Sequence, residues 1–166
     1  DMVRYDAQPA GASLGRFPNG APELFPFTEP TPGAANPRPP LPELVINEIS
    51  YYPASNTIGA EFIELFNRGM APVSLAGWSV QYTSAAGMST FGATPTQITE
   101  LPNVSLAPGH YLLIQEAKGS GGTAALPTPD VIDPTPIAMS SVGGKVVLVN
   151  RATPLGCNGG LIPCNL

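Results

Sequence analysis

Charge is the first scarcity. Charged residues make up 11% of this 166-residue chain, against about 25% in an average soluble protein. Two residues are lysine, one is histidine, and the net charge is −5. A protein that neutralises nucleic-acid phosphates needs several Lys or Arg side chains on one face. No basic stripe or cluster occurs, so direct nucleic-acid binding is not expected. Long apolar runs are also missing. Val146 to Val149 is typical of those present, far short of the ~20 residues that span a bilayer, so no membrane insertion is expected. Helix-length segments are missing too, because 21 prolines and 18 glycines punctuate the chain and the longest stretch free of both runs from Glu43 to Tyr52. That spacing predicts an all-β, loop-rich chain. Cys157 and Cys164 are the two cysteines, and no histidine lies nearby to complete a metal set. A local disulfide closing LGCNGGLIPCNL is expected, and with it an oxidising compartment. The chain starts at Asp1 rather than Met, which reads as a processed or partial chain. Together these features predict a secreted or cell-surface protein.

What is present is a series of short β-rich runs. Leu44 to Ile49 reads LVINEI, Glu61 to Asn67 reads EFIELFN, Val73 to Leu75 reads VSL, and Trp78 to Tyr82 reads WSVQY. Each is rich in β-branched and aromatic residues and is bounded by Gly, Pro or Asn, the pattern of antiparallel strands and their turns. Within EFIELFN, Ile63 and Leu65 share one face while Phe62, Glu64 and Phe66 share the other, which predicts a strand with one side buried. Trp78 is the sole tryptophan and is expected in the core. Later, Pro108-Gly109 suits a type II turn between two short strands, and Ile137 to Asn150 reads as a hairpin around Gly143-Gly144. About eight strands result, as a sandwich requires. The 43% apolar content is enough to build a core.

The order INEI, then EFIELFN, then PVSLAGWSV, with LAPGHYLLI from Leu106 to Ile114, resembles a lamin-tail domain over roughly Leu44 to Asn150. The wording is closest to bacterial secreted versions, which often sit beside nuclease or other hydrolase domains. The resemblance implies an immunoglobulin-like β-sandwich. The expected architecture is therefore all-β: a lamin-tail-type sandwich over 43–166 with an extended proline-rich N-terminal arm over 1–42. The chromatin role of nuclear lamins is not carried over, since the basic surface it needs is missing and fold does not transfer function.

The arm holds ten of the 21 prolines. MVRY (Met2 to Tyr5) reads as a short strand, and SLGRFPNG (Ser13 to Gly20) as an apolar, turn-terminated segment. The stretch from Ala21 to Pro42 reads as extended and semi-rigid, close to polyproline. SLGRFPNG with PTPGAANP (Pro30 to Pro37) resembles the closing segment of a lamin-tail domain, which in the family follows the strands. The domain from Leu44 onward lacks such a segment before Leu166. A sandwich short of a strand exposes apolar side chains and unpaired backbone groups. Three arrangements would fill the gap. The arm folds back onto its own domain, it inserts into a neighbouring copy by strand addition, or it finishes the preceding repeat of a tandem array. The second gives the expected function, a non-enzymatic structural subunit of an extracellular assembly such as a filament. Its partners are other copies of the chain, and Met2, Val3, Tyr5, Leu14 and Phe17 are the apolar teeth of the junction. The alternative is an accessory binding or spacer module of a larger secreted enzyme such as a nuclease.

Chemistry-bearing patterns are sparse. Gly11-Ala12-Ser13-Leu14-Gly15 matches the nucleophile-elbow pattern G-x-S-x-G, but that chemistry needs a strand-to-helix turn and the arm predicts no helix. His110 has no second histidine and is expected at a strand edge. Glu48, Glu61 and Glu64 fall on adjacent predicted strands. Hard cations want several oxygen ligands, and without a dense Asp/Asn loop these carboxylates read as solvated or locally hydrogen-bonded. Asn103-Val104-Ser105 fits a glycosylation acceptor, idle in a bacterial protein. Tyr51, Tyr52, Tyr82 and Phe91 are the aromatics that a surface- or carbohydrate-binding module would expose. No catalytic residue, metal or cofactor is expected.

Overall fold

The computed structural model describes residues 1–37, 42–51, 58–118 and 121–164, in two compact units, Asp1–Pro42 and Glu43–Leu166. In the first unit, β1 (Ser13–Arg16) and β2 (Leu24–Phe27) pair antiparallel, with Leu14 opposite Pro26 and Gly15 opposite Phe25. Pro26 donates no hydrogen bond, which a two-stranded ribbon tolerates. The turn over Thr31 to Ala34 is closed by Ala34 N–H donating to the Thr31 carbonyl at 3.1 Å. Asn36 then returns to the hairpin, its Nδ2 donating to the Arg16 carbonyl at 3.0 Å and its backbone N–H to Asn19 Oδ1 at 3.1 Å. A Cβ on Gly15 would meet Asn36 Nδ2 at 2.6 Å and Phe27 Cε2 at 2.9 Å, so glycine is what permits the return. The expectation of an extended, polyproline-like run from Ala21 is therefore corrected. Strand pairing and the Asn36 bonds fold this segment, and residues 38–41 lie outside the described part. MVRY is also not a strand; residues 1–9 have no regular secondary structure.

The second unit is an immunoglobulin-like sandwich of nine strands among the described residues. One sheet has the order β10 (Val131–Ile132), β9 (Tyr111–Lys118), β4 (Ala60–Asn67), β3 (Leu44–Ser50). A second has the order β11 (Gly144–Val149), β6 (Ser79–Ser84), β7 (Ile98–Glu100). β5 (Val73–Ser74) and β8 (Ser105–Leu106) form a short pair. The two-residue period places Ile63 and Leu65 of β4 beside Leu112 and Ile114 of β9, and these meet Val80 and Tyr82 of β6 in one buried cluster. Trp78 precedes β6 and packs half-buried against that cluster.

The Pro108-Gly109 turn lies between two strands as read: β8 and β9 flank it, with Gly109 at φ 73° and His110 N–H donating to the Ala107 carbonyl at 3.2 Å, and they pair with β5 and β4. One segment differs from the sequence-based reading. Ile137 to Asn150 is not a hairpin. Only its second half is a strand, and that strand pairs with β6. The first half is irregular because the amides of Ile137 and Met139 go to the carboxylates of Glu116 and Glu61, at 2.8 and 2.6 Å, instead of to a ladder. The carboxyl oxygens thus give both buried amides an acceptor without a strand partner.

Candidate functional site

The sandwich is open along one side. Directly opposed residues of antiparallel strands share a face, so Ile46 and Ile49 of β3 follow their partners Leu65 and Ile63 toward the interior. Yet Ile63 is fully buried while Ile49 is 40% exposed. Across the sandwich, Gly144, Val146 and Leu148 of β11 face inward with their partners on β6. Ile49, Tyr51, Tyr82, Met139, Gly144 and Val146 line a cleft of about 210 Å³ between the two edges. That is smaller than the roughly 300 Å³ at which drug-sized ligand pockets begin, and it suits inserted side chains instead. Gly144 lies flat on the Tyr82 ring, where a Cβ would overlap it. Among the described residues β3 pairs only with β4 and β11 only with β6, so both present an unpaired backbone edge. They are also the long edges, seven and six residues, against three for β7 and two for β10. Natural sheets usually keep exposed edges short.

The expected junction residues divide into two groups. Met2, Val3 and Tyr5 are 90%, 44% and 75% exposed. Asp1 is held by a bidentate pair with Arg16 at 3.0 Å, and the Arg16 guanidinium also donates to the Ala21 and Pro22 carbonyls at 2.7 and 2.6 Å. Leu14 and Phe17 are half-buried within the first unit, and Leu14 flanks Phe27 in the hairpin's own cleft, which Arg4 and Tyr5 also line. The hairpin thus uses Leu14 and Phe17 internally, and leaves Met2, Val3 and most of Tyr5 to solvent.

The glutamates expected as a trio are not brought together. Glu48 and Glu64 are opposite one another on the outer face, where Asn47 Nδ2 donates to Glu64 Oε1 at 2.7 Å. Glu61 points inward. The acidic group that the fold does build is Glu116 and Asp133 around Thr99, with Glu61 near enough to Glu116 to act on its charge, and all four are buried. Thr99 Oγ1 is 2.7 Å from both Glu116 Oε1 and Asp133 Oδ2. A hydroxyl carries one hydrogen, so the second short contact needs a proton on a carboxyl group. Burial pushes Glu116 up to about 7, with the Asp133 and Glu61 charges adding to it and the Thr99 and Ile137 bonds opposing. Burial also raises Glu61, against the Met139 amide bond. Among the described residues no three His, Cys, Asp or Glu side chains are arranged to hold a metal ion. The group acts as a structural clamp that draws the irregular segment 137–139 onto β4 and β9.

Other candidates take structural places. Ser13 opens β1 in a hairpin with no helix after it, so it lacks the elbow geometry, and Gly15 of the same pattern serves the Asn36 approach. His110 is exposed at the end of the turn before β9. Tyr82 and Phe91 are buried, Tyr51 lines the cleft, and Tyr52 lies outside the described residues, so these aromatics do not form one exposed platform. Cys157 and Cys164 form a disulfide with a Cα–Cα distance of 5.2 Å. Around it, Asn158 Oδ1 accepts from Gly160 and Ile162, while Gln81 holds Thr153 and Leu155. The disulfide is compatible with an extracellular location, and among the described residues no helix is long and apolar enough to cross a membrane.

Sequence reasoning missed Asn67, Glu116 and Asp133. Asn67 is fully buried, with Nδ2 donating to the carbonyls of Ala71 and Leu106 at 2.9 and 2.8 Å and Oδ1 accepting from Gly69 at 2.8 Å. Strand parity was the available signal, since Asn67 has the parity of Ile63 and Leu65, and Glu116 that of Leu112 and Ile114.

A search of curated proteins returns no match. The family model described as Lamin Tail Domain matches residues 37–159, which spans the whole nine-strand sandwich. The family is an immunoglobulin-like structural module rather than an enzyme family. With that match covering most of the chain, the chain belongs to the lamin tail domain family.

Proposed function

We propose that the chain is a non-enzymatic structural subunit of an extracellular or cell-surface assembly, built as copies join by inserting the N-terminal arm into a neighbouring sandwich. The observation that carries this reading is the pair of long unpaired edges, β3 and β11, bordering a half-open core where inward-facing Ile49 is 40% exposed. Unpaired edges and uncovered core side chains are both unfavourable in water. A strand added there removes both costs at once. The disulfide supports secretion as the setting, since such bonds persist in oxidising compartments. The buried Glu116–Thr99–Asp133 group is fully engaged in hydrogen bonds within the fold, which supports a structural role for it over an enzymatic one.

The test compares the purified chain with a version lacking residues 1–20, by electron microscopy and light scattering. Concentration-dependent assembly of the full chain, lost on truncation, is the expected result. A monomer destabilised by truncation would mean that the arm completes its own domain. A monomer indifferent to truncation would favour the alternative reading, a spacer or binding module of a larger secreted protein.

A further inference from the structure

We infer that the occupant of the β3–β11 cleft is the segment Met2–Tyr5 of a second copy, added antiparallel to β3 with Val3 opposite Ile49 and Arg4 opposite Glu48; this rests on the assembly reading above and specifies its junction. The seven-residue recipient edge is divided by an irregularity. A bulge between Ile46 and Glu48 interrupts the register of β3, so the regular stretch runs from Glu48 to Ser50 and suits a donor of about the same length. The donor matches it in three ways. Met2–Tyr5 has no strand partner of its own, and although Asp1 is anchored by Arg16 and Arg4 and Tyr5 border the hairpin's cleft, its apolar side chains stay largely exposed. Its alternation puts Val3 and Tyr5 on one face and Arg4 on the other. With Val3 paired to inward-facing Ile49, Val3 enters the cleft and Tyr5 follows along the inner face toward Ile46. Arg4 then lies outward beside Glu48 and Glu64, two carboxylates that face each other on adjacent strands. Like charges directly opposite are destabilising, and a cation opposite Glu48 on its free side offsets that repulsion. The reverse registry, with Val3 opposite Tyr51 and Tyr5 opposite Ile49, sets Asp6 against Glu48 and is disfavoured by the same rule.

The junction is tested by cysteine exchange in the full chain. Val3→Cys chains are mixed with Ile49→Cys chains under mild oxidation, beside a control mixture with Tyr111→Cys, an exposed position on the outer face of the same sheet. Directly opposed Cβ atoms lie about 4.5–5.5 Å apart, close to what a disulfide needs. A cross-linked dimer of Val3→Cys with Ile49→Cys, and none with Tyr111→Cys, is expected, together with several-fold weaker association of Arg4→Glu that Glu48→Arg restores. Assembly by light scattering with equal or no cross-linking at Ile49 would overturn this junction while leaving the assembly reading intact. Closure of a doubly substituted chain on itself, at a yield independent of concentration, would overturn the second copy as the occupant. A monomer at all concentrations would remove the assembly reading and the junction with it.

Discussion

Replacing Glu116 by glutamine should flatten the pH dependence of stability between pH 4.5 and about 7. Glu116 is buried, and its carboxyl rises from an ordinary value of 4.5 to about 7 in the folded protein. Below pH 4.5 the group is protonated in both the folded and unfolded chain and makes no difference between them. Between 4.5 and about 7 the unfolded chain releases the proton while the folded one keeps it, so stability falls as pH rises, by about 1.36 kcal/mol per pH unit. Above about 7 both states are ionised and the loss is complete, amounting to about 3 kcal/mol. The sign is opposite to that of a salt-bridged carboxylate, which stabilises a protein at neutral pH. The hydrogen bonds agree with it. A protonated Glu116 donates from Oε1 to Thr99 Oγ1, leaving the Thr99 hydrogen for Asp133, while Oε2 still accepts from Ile137.

Glu116→Gln preserves this pattern, since its amide NH₂ donates to Thr99 and its carbonyl accepts from Ile137. The variant should match the native protein near pH 4.5 and exceed it by about 3 kcal/mol near pH 8. Urea unfolding at a series of pH values, read from the fluorescence of Trp78, measures the difference. Trp78 is the sole tryptophan and packs against the core, so it reports on the whole sandwich. Glu61 is also raised by burial, but that burial is common to both proteins, so only its coupling to Glu116 enters the comparison. Parallel profiles for the two proteins would refute the placement of the proton on Glu116.

Three further outcomes follow from the same packing. Asn67→Ala leaves the Leu106 carbonyl buried and the Ala71 and Gly69 groups without their partner, and should cost about 2–4 kcal/mol in urea unfolding. Gly144→Ala sets a methyl into the Tyr82 ring and should cost about 1–3 kcal/mol, with partial relief in Tyr82→Leu, whose smaller side chain clears the space. Replacing Cys157 and Cys164 by serine opens a loop of sequence separation 7, worth about 2 kcal/mol on the loop-closure account. Hydrogen exchange should show that loss first at the amides of Leu155 and Asn158, which bond within the C-terminal segment and to Phe91 and Gln81.

The strands were legible where one rule governs them. Ile63 and Leu65 are both fully buried as their alternation predicts, although the other face of β4 is not open throughout, since Phe62 is buried too. The Pro108-Gly109 turn was legible from residue types alone, because Gly109 takes the positive φ that the turn requires. The disulfide was legible from the shortage of other ligands. Legibility fails where a polar side chain overrides the local rule. Ile137 to Ser140 has the apolar pattern of a strand, but its amides are captured by Glu116 and Glu61, which lie far away in sequence. Ala21 to Pro37 has the composition of a polyproline spacer, but Gly15 and Asn36 together fold it onto a hairpin. The Glu48, Glu61 and Glu64 trio failed for a simpler reason. Parity already puts Glu61 on the opposite face from Glu48 and Glu64, and grouping them by strand ignored it. The recipient edge was not legible, because which strands end a sheet depends on long-range pairing that no local pattern encodes.

The inner row of β4 shows how the sandwich is finished. It reads Glu61, Ile63, Leu65, Asn67, with an apolar centre and a polar residue at each end. Glu61 takes the Met139 amide and Asn67 takes the Leu106 and Ala71 carbonyls, so each end of the strand draws an irregular segment over the core. Two of the four sheet edges are held to three residues or fewer. Only β3 and β11 remain long, and only there does an inward-facing isoleucine meet solvent. In the proposed assembly, the charges beside that opening would select what enters it. Two copies meeting symmetrically, β3 against β3, would bring together the Glu48 and Glu64 rows of both, in a chain whose net charge is already −5. Like charges across a new strand pair disfavour that contact, so an isologous dimer is the costly arrangement. A donor that carries Arg4 between Val3 and Tyr5 meets the same surface with the opposite sign. Because donor and recipient are different patches of the chain, such a contact is heterologous. Repeated from copy to copy it extends into a filament or closes into a ring according to the rotation at each junction.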